Sequence, residues 1–161
     1  MKRLLSLILI LMVLGVNAQE RKTLFDFDWK FLQGEGSEEC GKADFDDSKW
    51  RTVDLPHDWV VDLPYAQEAS HSHGYKQVGF KYPQTSVGWY RKTFTIPAED
   101  YGKHIWVEFD GIFRDSQVWL NGFYLGHEKS GYASQLYDIS EYLNYGGENL
   151  LCVRVDATLE E

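Results

Sequence analysis

Two cysteines and four prolines are few for 161 residues, and basic residues are outnumbered, 16 against 25 acidic. The shortage of cysteine excludes a disulfide-dense fold, since Cys40 and Cys152 allow one bridge at most. Cys40 sits in a polar, glycine-containing segment and Cys152 in the strand-like run LLCVRV. Nothing in that spacing shows that they meet, so free, partly buried thiols are the expectation. The pair also offers too few ligands for a metal centre. The shortage of positive charge argues against a nucleic-acid backbone or an anionic membrane as partner. No G-x-S-x-G elbow, H-E-x-x-H helix or phosphate-binding glycine loop is present. No apolar run reaches the length of about 20 residues that a membrane-spanning helix needs.

The first residues have a separate purpose. Lys2 and Arg3 precede apolar residues 4–16, and Val16, Asn17 and Ala18 form a small-residue cleavage site. This pattern predicts a signal peptide over residues 1–18 and an exported mature chain, residues 19–161, in a periplasm or secreted. Without Lys2 and Arg3 the mature chain has 14 basic residues against 25 acidic ones, a net charge of −11. Such a surface suits neutral or cationic ligands. Aromatic residues are plentiful: six Trp, ten Tyr and nine Phe can fill a core and still leave rings for stacking on ligands.

Those rings recur with period two. In FDFDWKFL, Phe25, Phe27, Trp29 and Phe31 share one side of a predicted strand. Trp50, Thr52 and Asp54 alternate with Arg51, Val53 and Leu55 until Pro56 ends the run. Tyr90, Lys92, Phe94 and Ile96 oppose Trp89, Arg91, Thr93 and Thr95, and Ile105, Val107 and Phe109 alternate with Trp106, Glu108 and Asp110. Asn121-Gly122 between two apolar runs predicts a type I′ hairpin, whose central residues both need positive φ. Simple pairing sets Leu120 opposite Phe123 and Val118 opposite Leu125, with Trp119 and Tyr124 on the other face. Residues 126–137 show no clear period. Residues 138–143 read as a short helical turn capped by Asp138 or Ser140, and residues 149–155 as a last strand. About seven short strands and no helix of ordinary length predict an all-β, two-sheet sandwich.

Residues 63–87 carry the breakers Pro64, Gly74, Gly79 and Pro83 but also Tyr65, Tyr75, Phe80 and Tyr82. This composition predicts an ordered loop that packs on this chain or on a partner. His71 and His73 in SHSHG would share one side of an extended loop, yet two histidines without a third ligand favour an exposed polar loop over a metal site. Asp110, Asp115, Glu128 and Asp138 could pair for glycoside hydrolysis, although surface acids are more often solvated or cap loops. Trp89, Trp106, Trp119 and Tyr124 are candidates for stacking on sugars, with core packing the commoner use.

The phrases FDxDWKF, DLPHDW, VGWYRKTFTIP, WVEFDGIFRDSQVWLNGFYLGHEKSGY, YDISEYL and GENLLCVRVD, in that order, cover residues 25–156. Together they resemble the N-terminal sugar-binding domain of glycoside hydrolase family 2, which includes β-galactosidases, β-glucuronidases and β-mannosidases. The resemblance implies a jelly-roll-like (galactose-binding-like) β-sandwich that precedes an immunoglobulin-like domain and a catalytic barrel. It implies action on β-galactosides with retention, through two barrel glutamates that match no residue of this sequence, and it implies no cofactor. A carbohydrate and those two domains are then the expected partners. The implied sugar-facing rim comprises Glu128, Lys129, Ser130 and Tyr132 after the hairpin, Asp138 beyond it, and His71, His73 and Tyr75 of the long loop. The family domain's closing strand is expected to be missing after the last one here, which would leave a sheet edge open. A free-standing carbohydrate-binding module or an interaction subunit without hydrolase activity is the alternative.

Overall fold

A computed structural model describes residues 21–158; the expected signal peptide lies outside them. Eight strands follow in order: β1 (Trp29–Gln33), β2 (Arg51–Val53), β3 (Val87–Thr95), β4 (Trp106–Phe109), β5 (Ser116–Leu120), β6 (Phe123–Glu128), β7 (Gln135–Asp138) and β8 (Glu148–Asp156). Six of them make an antiparallel sheet in the order β2-β1-β3-β8-β5-β6, and β4 and β7 form a separate two-stranded ribbon. The expected sandwich is therefore present, with unequal layers.

The alternation read from the sequence divides the large sheet into two buried faces. Trp29, Phe31, Tyr90, Val118, Leu120, Leu151, Val153 and Val155 point toward the ribbon and pack with its Val107 and with Ile139. The opposite face carries Val87, Trp89 and Cys152, which residues 40–50 cover with Cys40 and Trp50. Arg91 anchors that cover. Its side chain is 3% exposed, donates to Asp47 at 2.7 Å and to the Lys42 carbonyl at 2.9 Å, and also bonds the Cys40 carbonyl. The two cysteines are free thiols and wholly buried, not partly buried as expected. Burial pushes the Cys152 thiol up to about 12.

Several local expectations need correction. The first strand starts at Trp29, not Phe25, because Asp28 adopts a φ of 58° and breaks the extended chain; Phe27 is left largely exposed. The hairpin turn forms as predicted, with φ of 51° at Asn121 and 83° at Gly122. Its register shifts after Trp119 and Tyr124, so that Val118 opposes Gly126 and Leu125 becomes the extra residue of a bulge. A side chain at Gly126 would bring its Cβ to 2.7 Å from the Tyr137 ring, which explains a glycine at that register position. β7 overlaps the end of the stretch without period, takes in Asp138 from the expected helical turn, and pairs with β4, Val107 opposite Tyr137. β8 runs between β3 and β5, so the last described strand is central rather than an edge.

The long loop packs largely on its own domain. Leu63, Ala66, Ala69 and Val78 are buried, and a bridge joins Tyr65 to Lys76. Tyr65 and Phe80 remain exposed.

Candidate functional site

A cleft of about 590 Å³ opens where three loops meet: residues 57–60 after β2, part of the long loop (Ser70, Ser72, His73 and Val78), and Phe113–Arg114 between β4 and β5. It lies on the Tyr90 side of the large sheet. Trp59 forms its inner wall, with its indole N–H donating to the Thr85 carbonyl at 2.9 Å and its ring against Phe31.

His57 is fixed by two bonds. Arg51 Nη2 lies 2.7 Å from His57 Nε2, and His57 Nδ1 lies 2.8 Å from the Tyr90 hydroxyl. An arginine can only donate, so Nε2 accepts and Nδ1 keeps its hydrogen for Tyr90. Burial first, and then the Arg51 charge, hold the imidazole below its ordinary range and keep it neutral. Arg51 is itself held by Asp62 at 2.8 Å. With both ring nitrogens engaged, His57 is a post of the wall and not a base. Beside it, Asp58 Oδ1 accepts the Val60 amide at 2.9 Å, and Asp58 is the cleft's one carboxylate among the described residues.

The second loop turns tightly at His71–His73, a 3-10 turn closed by Gly74 at φ 61°. Three residues per turn send positions i and i+2 apart, so the two histidines do not share a side as an extended loop would require. His71 stands edge-on to Tyr75, centroids 5.5 Å apart, and Tyr75 packs on Tyr65. His73 faces the cleft, and its Nδ1 is buried without a hydrogen-bond partner. Among the described residues no cluster of three or more His, Cys, Asp or Glu is arranged to hold a metal.

The third loop presents Phe113, 54% exposed, with the Arg114 guanidinium 5.5 Å from its ring centroid. Arg114 Nε is likewise buried and unpartnered. Tyr132, 87% exposed, meets Phe113 edge-on at 5.6 Å and brings the loop after β6 to the same rim. Gly131 permits this contact, because any Cβ there would overlap the Phe113 ring. Glu128 and Ser130 shape that loop: Glu128 Oε1 accepts the Ser130 amide at 2.7 Å and Ser130 Oγ the Tyr132 amide at 3.2 Å. Lys129 is exposed on it, and its carbonyl accepts the Asp115 amide.

The predicted rim is therefore brought together in part. His73 lines the cleft and Tyr132 reaches it through Phe113, while His71 and Tyr75 brace the loop behind. Asp138 does not belong to it. It pairs with Trp106 at the end of the ribbon away from the Phe113 loop, where its Oδ1 accepts the Ser140 amide at 3.0 Å and the Ser140 hydroxyl at 2.6 Å. These Ser140 bonds hold its carboxyl below the usual range, as a turn-capping acid requires. The aromatic candidates lie elsewhere too. Trp89 stacks on Trp119 at 5.8 Å across the opposite face, Tyr124 stands beside Trp119, and Trp106 is exposed on β4. The sequence reading passed over His57, Asp58, Trp59, Phe113 and Arg114. The phrases DLPHDW and GIFRDS hold them all, yet neither has a period that marks a site.

Residues 25–160 match the family described as glycosyl hydrolases family 2, sugar binding domain. The chain belongs to glycoside hydrolase family 2. This family 2 domain is 41% identical over 141 residues to the β-galactosidase BoGH2A of Bacteroides ovatus, covering 88% of this chain and 16% of that protein. It is 30% identical over 142 residues to a β-glucuronidase of Formosa agariphila, covering 88% and 14%. A solved family 2 member from Bacteroides cellulosilyticus superposes with a TM-score of 0.78 at 35% identity, over 86% of this chain and 18% of that one. The chain thus spans about one sixth of the relatives' length and corresponds to their sugar-binding domain.

Proposed function

We propose that the cleft is the domain's carbohydrate face and that it supplies one wall of the sugar site in a larger β-galactosidase- or β-glucuronidase-type hydrolase. The observation that carries this reading is the pairing, in one cleft, of an exposed aromatic ring with several hydrogen-bonding groups. Phe113 offers a flat apolar surface for the C–H face of a sugar, and Ser70, Ser72, Asp58, His73 and Arg114 offer donors and acceptors for its hydroxyls. Tyr132 and Lys129 extend the rim outward on the exposed loop after β6. The names of the relatives support a β-galactoside or β-glucuronide as the sugar. The leader-like residues 1–18 support an exported enzyme, periplasmic or secreted.

Calorimetric titration with methyl β-D-galactoside tests the reading. Saturable binding is expected, and replacing Phe113→Ala removes apolar contact worth about tenfold in affinity, given about 1.5–3 kcal/mol for a fully buried aromatic side chain. An unchanged affinity in that variant would remove the cleft from the account. Assayed by itself, the chain is expected to leave chromogenic β-galactosides uncleaved, because among the described residues Asp58 is the one carboxylate that lines the cleft.

A further inference from the structure

The loop that carries Phe113 and Arg114 ends at Asp115, which adopts a left-handed φ of 49°. Aspartate tolerates that region better than most residues, but only where its surroundings hold it there. The hold comes from β6. His127 Nε2 bonds Asp115 Oδ1, and since a carboxylate oxygen can only accept, Nε2 carries the hydrogen and donates. Gln117 opposes His127 across the hairpin, and Asp115 stands just before β5, diagonal to that pair. Arg154, which opposes Gln117 from β8, is engaged with Asp156 at 2.8 Å and leaves Asp115 to the imidazole. The two side chains are 33% and 18% exposed, so their bond is partly shielded from water and strengthened by it.

This bond joins the two loops that build the outer rim of the cleft, and the other polar ties between them are longer. The Asp115 amide reaches the Lys129 carbonyl at 3.4 Å, and the Ser134 hydroxyl reaches the Asp110 carbonyl at 3.3 Å. Both lie beyond the usual range for such bonds. The Phe113 ring rests on Gly131 and stands edge-on to Tyr132, apolar contacts that set a distance better than a direction. A bond to an ionised acceptor is directional and roughly twice as strong as a neutral one. At the other end of the loop, the Arg114 carbonyl accepts the Asp156 amide at 3.0 Å and pins it to β8. Phe113 thus hangs between one backbone anchor and one side-chain anchor.

We propose that His127 and Asp115 are positioning residues of the cleft. Their bond ties the β4–β5 loop to the loop after β6 and so sets where Phe113 stands, with Tyr132 at its edge. Neither residue lines the cleft; both act through Phe113. The role in binding rests on the reading of the cleft as a carbohydrate site, whereas the tie between the loops does not.

Nuclear magnetic resonance of the intact chain tests the tie without a ligand. In the unaltered protein the His127 ring should carry its hydrogen on Nε2 and exchange it slowly with water; a hydrogen on Nδ1 alone would overturn the tie, whatever the variants do. In His127→Ala and Asp115→Ala, backbone amide shifts should move at residues 110–115 and 128–134 and stay in place at 57–60 and 70–78. His127→Gln and Asp115→Asn keep a donor and an acceptor, and should return most of the native pattern. Titration with methyl β-D-galactoside then reads the consequence. The alanine variants are expected to bind about tenfold more weakly than the unaltered chain, and the conservative ones within about threefold of it. Unchanged affinity in the folded alanine variants, even with a lowered urea midpoint, would reduce the bond to a structural one and overturn the positioning role alone. Absence of binding by the unaltered chain would overturn the carbohydrate reading and the positioning role together.

Discussion

Arg91 shows how a single side chain can hold a whole segment. It is buried beneath residues 40–50, where it neutralises Asp47, donates to the Cys40 and Lys42 carbonyls, and lies against the rings of Phe45 and Trp50. Removing one partner of a buried charge pair leaves the other uncompensated, at about 3–5 kcal/mol. Arg91→Met is therefore expected to lower unfolding free energy by about 3 kcal/mol in urea titrations; a loss under about 1 kcal/mol would mean that the segment is held by its aromatic contacts instead. His57 makes a prediction of opposite character. Its folded form resists protonation, whereas the unfolded chain takes up a proton at the ordinary value of 6.5. The unfolded state thus binds more protons as pH falls through 6.5, and His57 costs stability progressively below that point. Urea midpoints measured between pH 7.5 and 5 should fall toward acid, and His57→Gln should flatten that slope. A slope unchanged in the variant would assign the acid sensitivity to other groups.

At the scale of elements, the sequence was most legible where burial imposes a period. β1, β3, β4 and β5 follow alternations that separate Trp29 and Phe31, Tyr90, Val107, and Val118 and Leu120 from their neighbours. Asn121-Gly122 announced its turn because few other residue pairs accept positive φ twice. The bulge at Leu125 was not legible, since pairing by counting assumes one residue opposite one. β7 was hidden for a related reason: its Leu136 faces solvent and its Gln135 is buried, which inverts the expected pattern. Gln135 is tolerated inside because its Nε2 donates to Ser116 Oγ at 2.9 Å and its Oε1 accepts from the Tyr137 hydroxyl at 2.8 Å. The cleft was less legible still, as it joins residues as far apart as His57, His73 and Arg114 on loops with no period of their own. One glycine tests how those loops are joined. Gly131→Ala places a methyl group into the Phe113 ring, and overpacking of this kind costs about 1–3 kcal/mol. Thermal unfolding should register that loss, and Phe113→Ala in the same chain should restore most of it. Two additive losses would show that the loops do not meet as described.

For the whole molecule, the segment of residues 40–50 laid over the centre of the large sheet places both thiols beyond the reach of solvent. Cys40 and Cys152 lie with Trp50 and Trp89 in one cluster, and burial keeps the Cys152 thiol protonated up to about 12. Ellman's reagent at pH 8 is expected to leave both unmodified in the native chain and to titrate two thiols once it is unfolded. Rapid native labelling would mean that residues 40–50 open readily. The same closed architecture leaves the loop end of the sandwich to meet ligands, and a family 2 domain without its neighbours should still hold a sugar there. Mapping of backbone amide shifts during titration with methyl β-D-galactoside tests this most directly. Shifts should converge on residues 57–60, 70–78 and 113–114. Shifts centred on Asp138 or on the Trp119–Tyr124 face, or none at all, would contradict it.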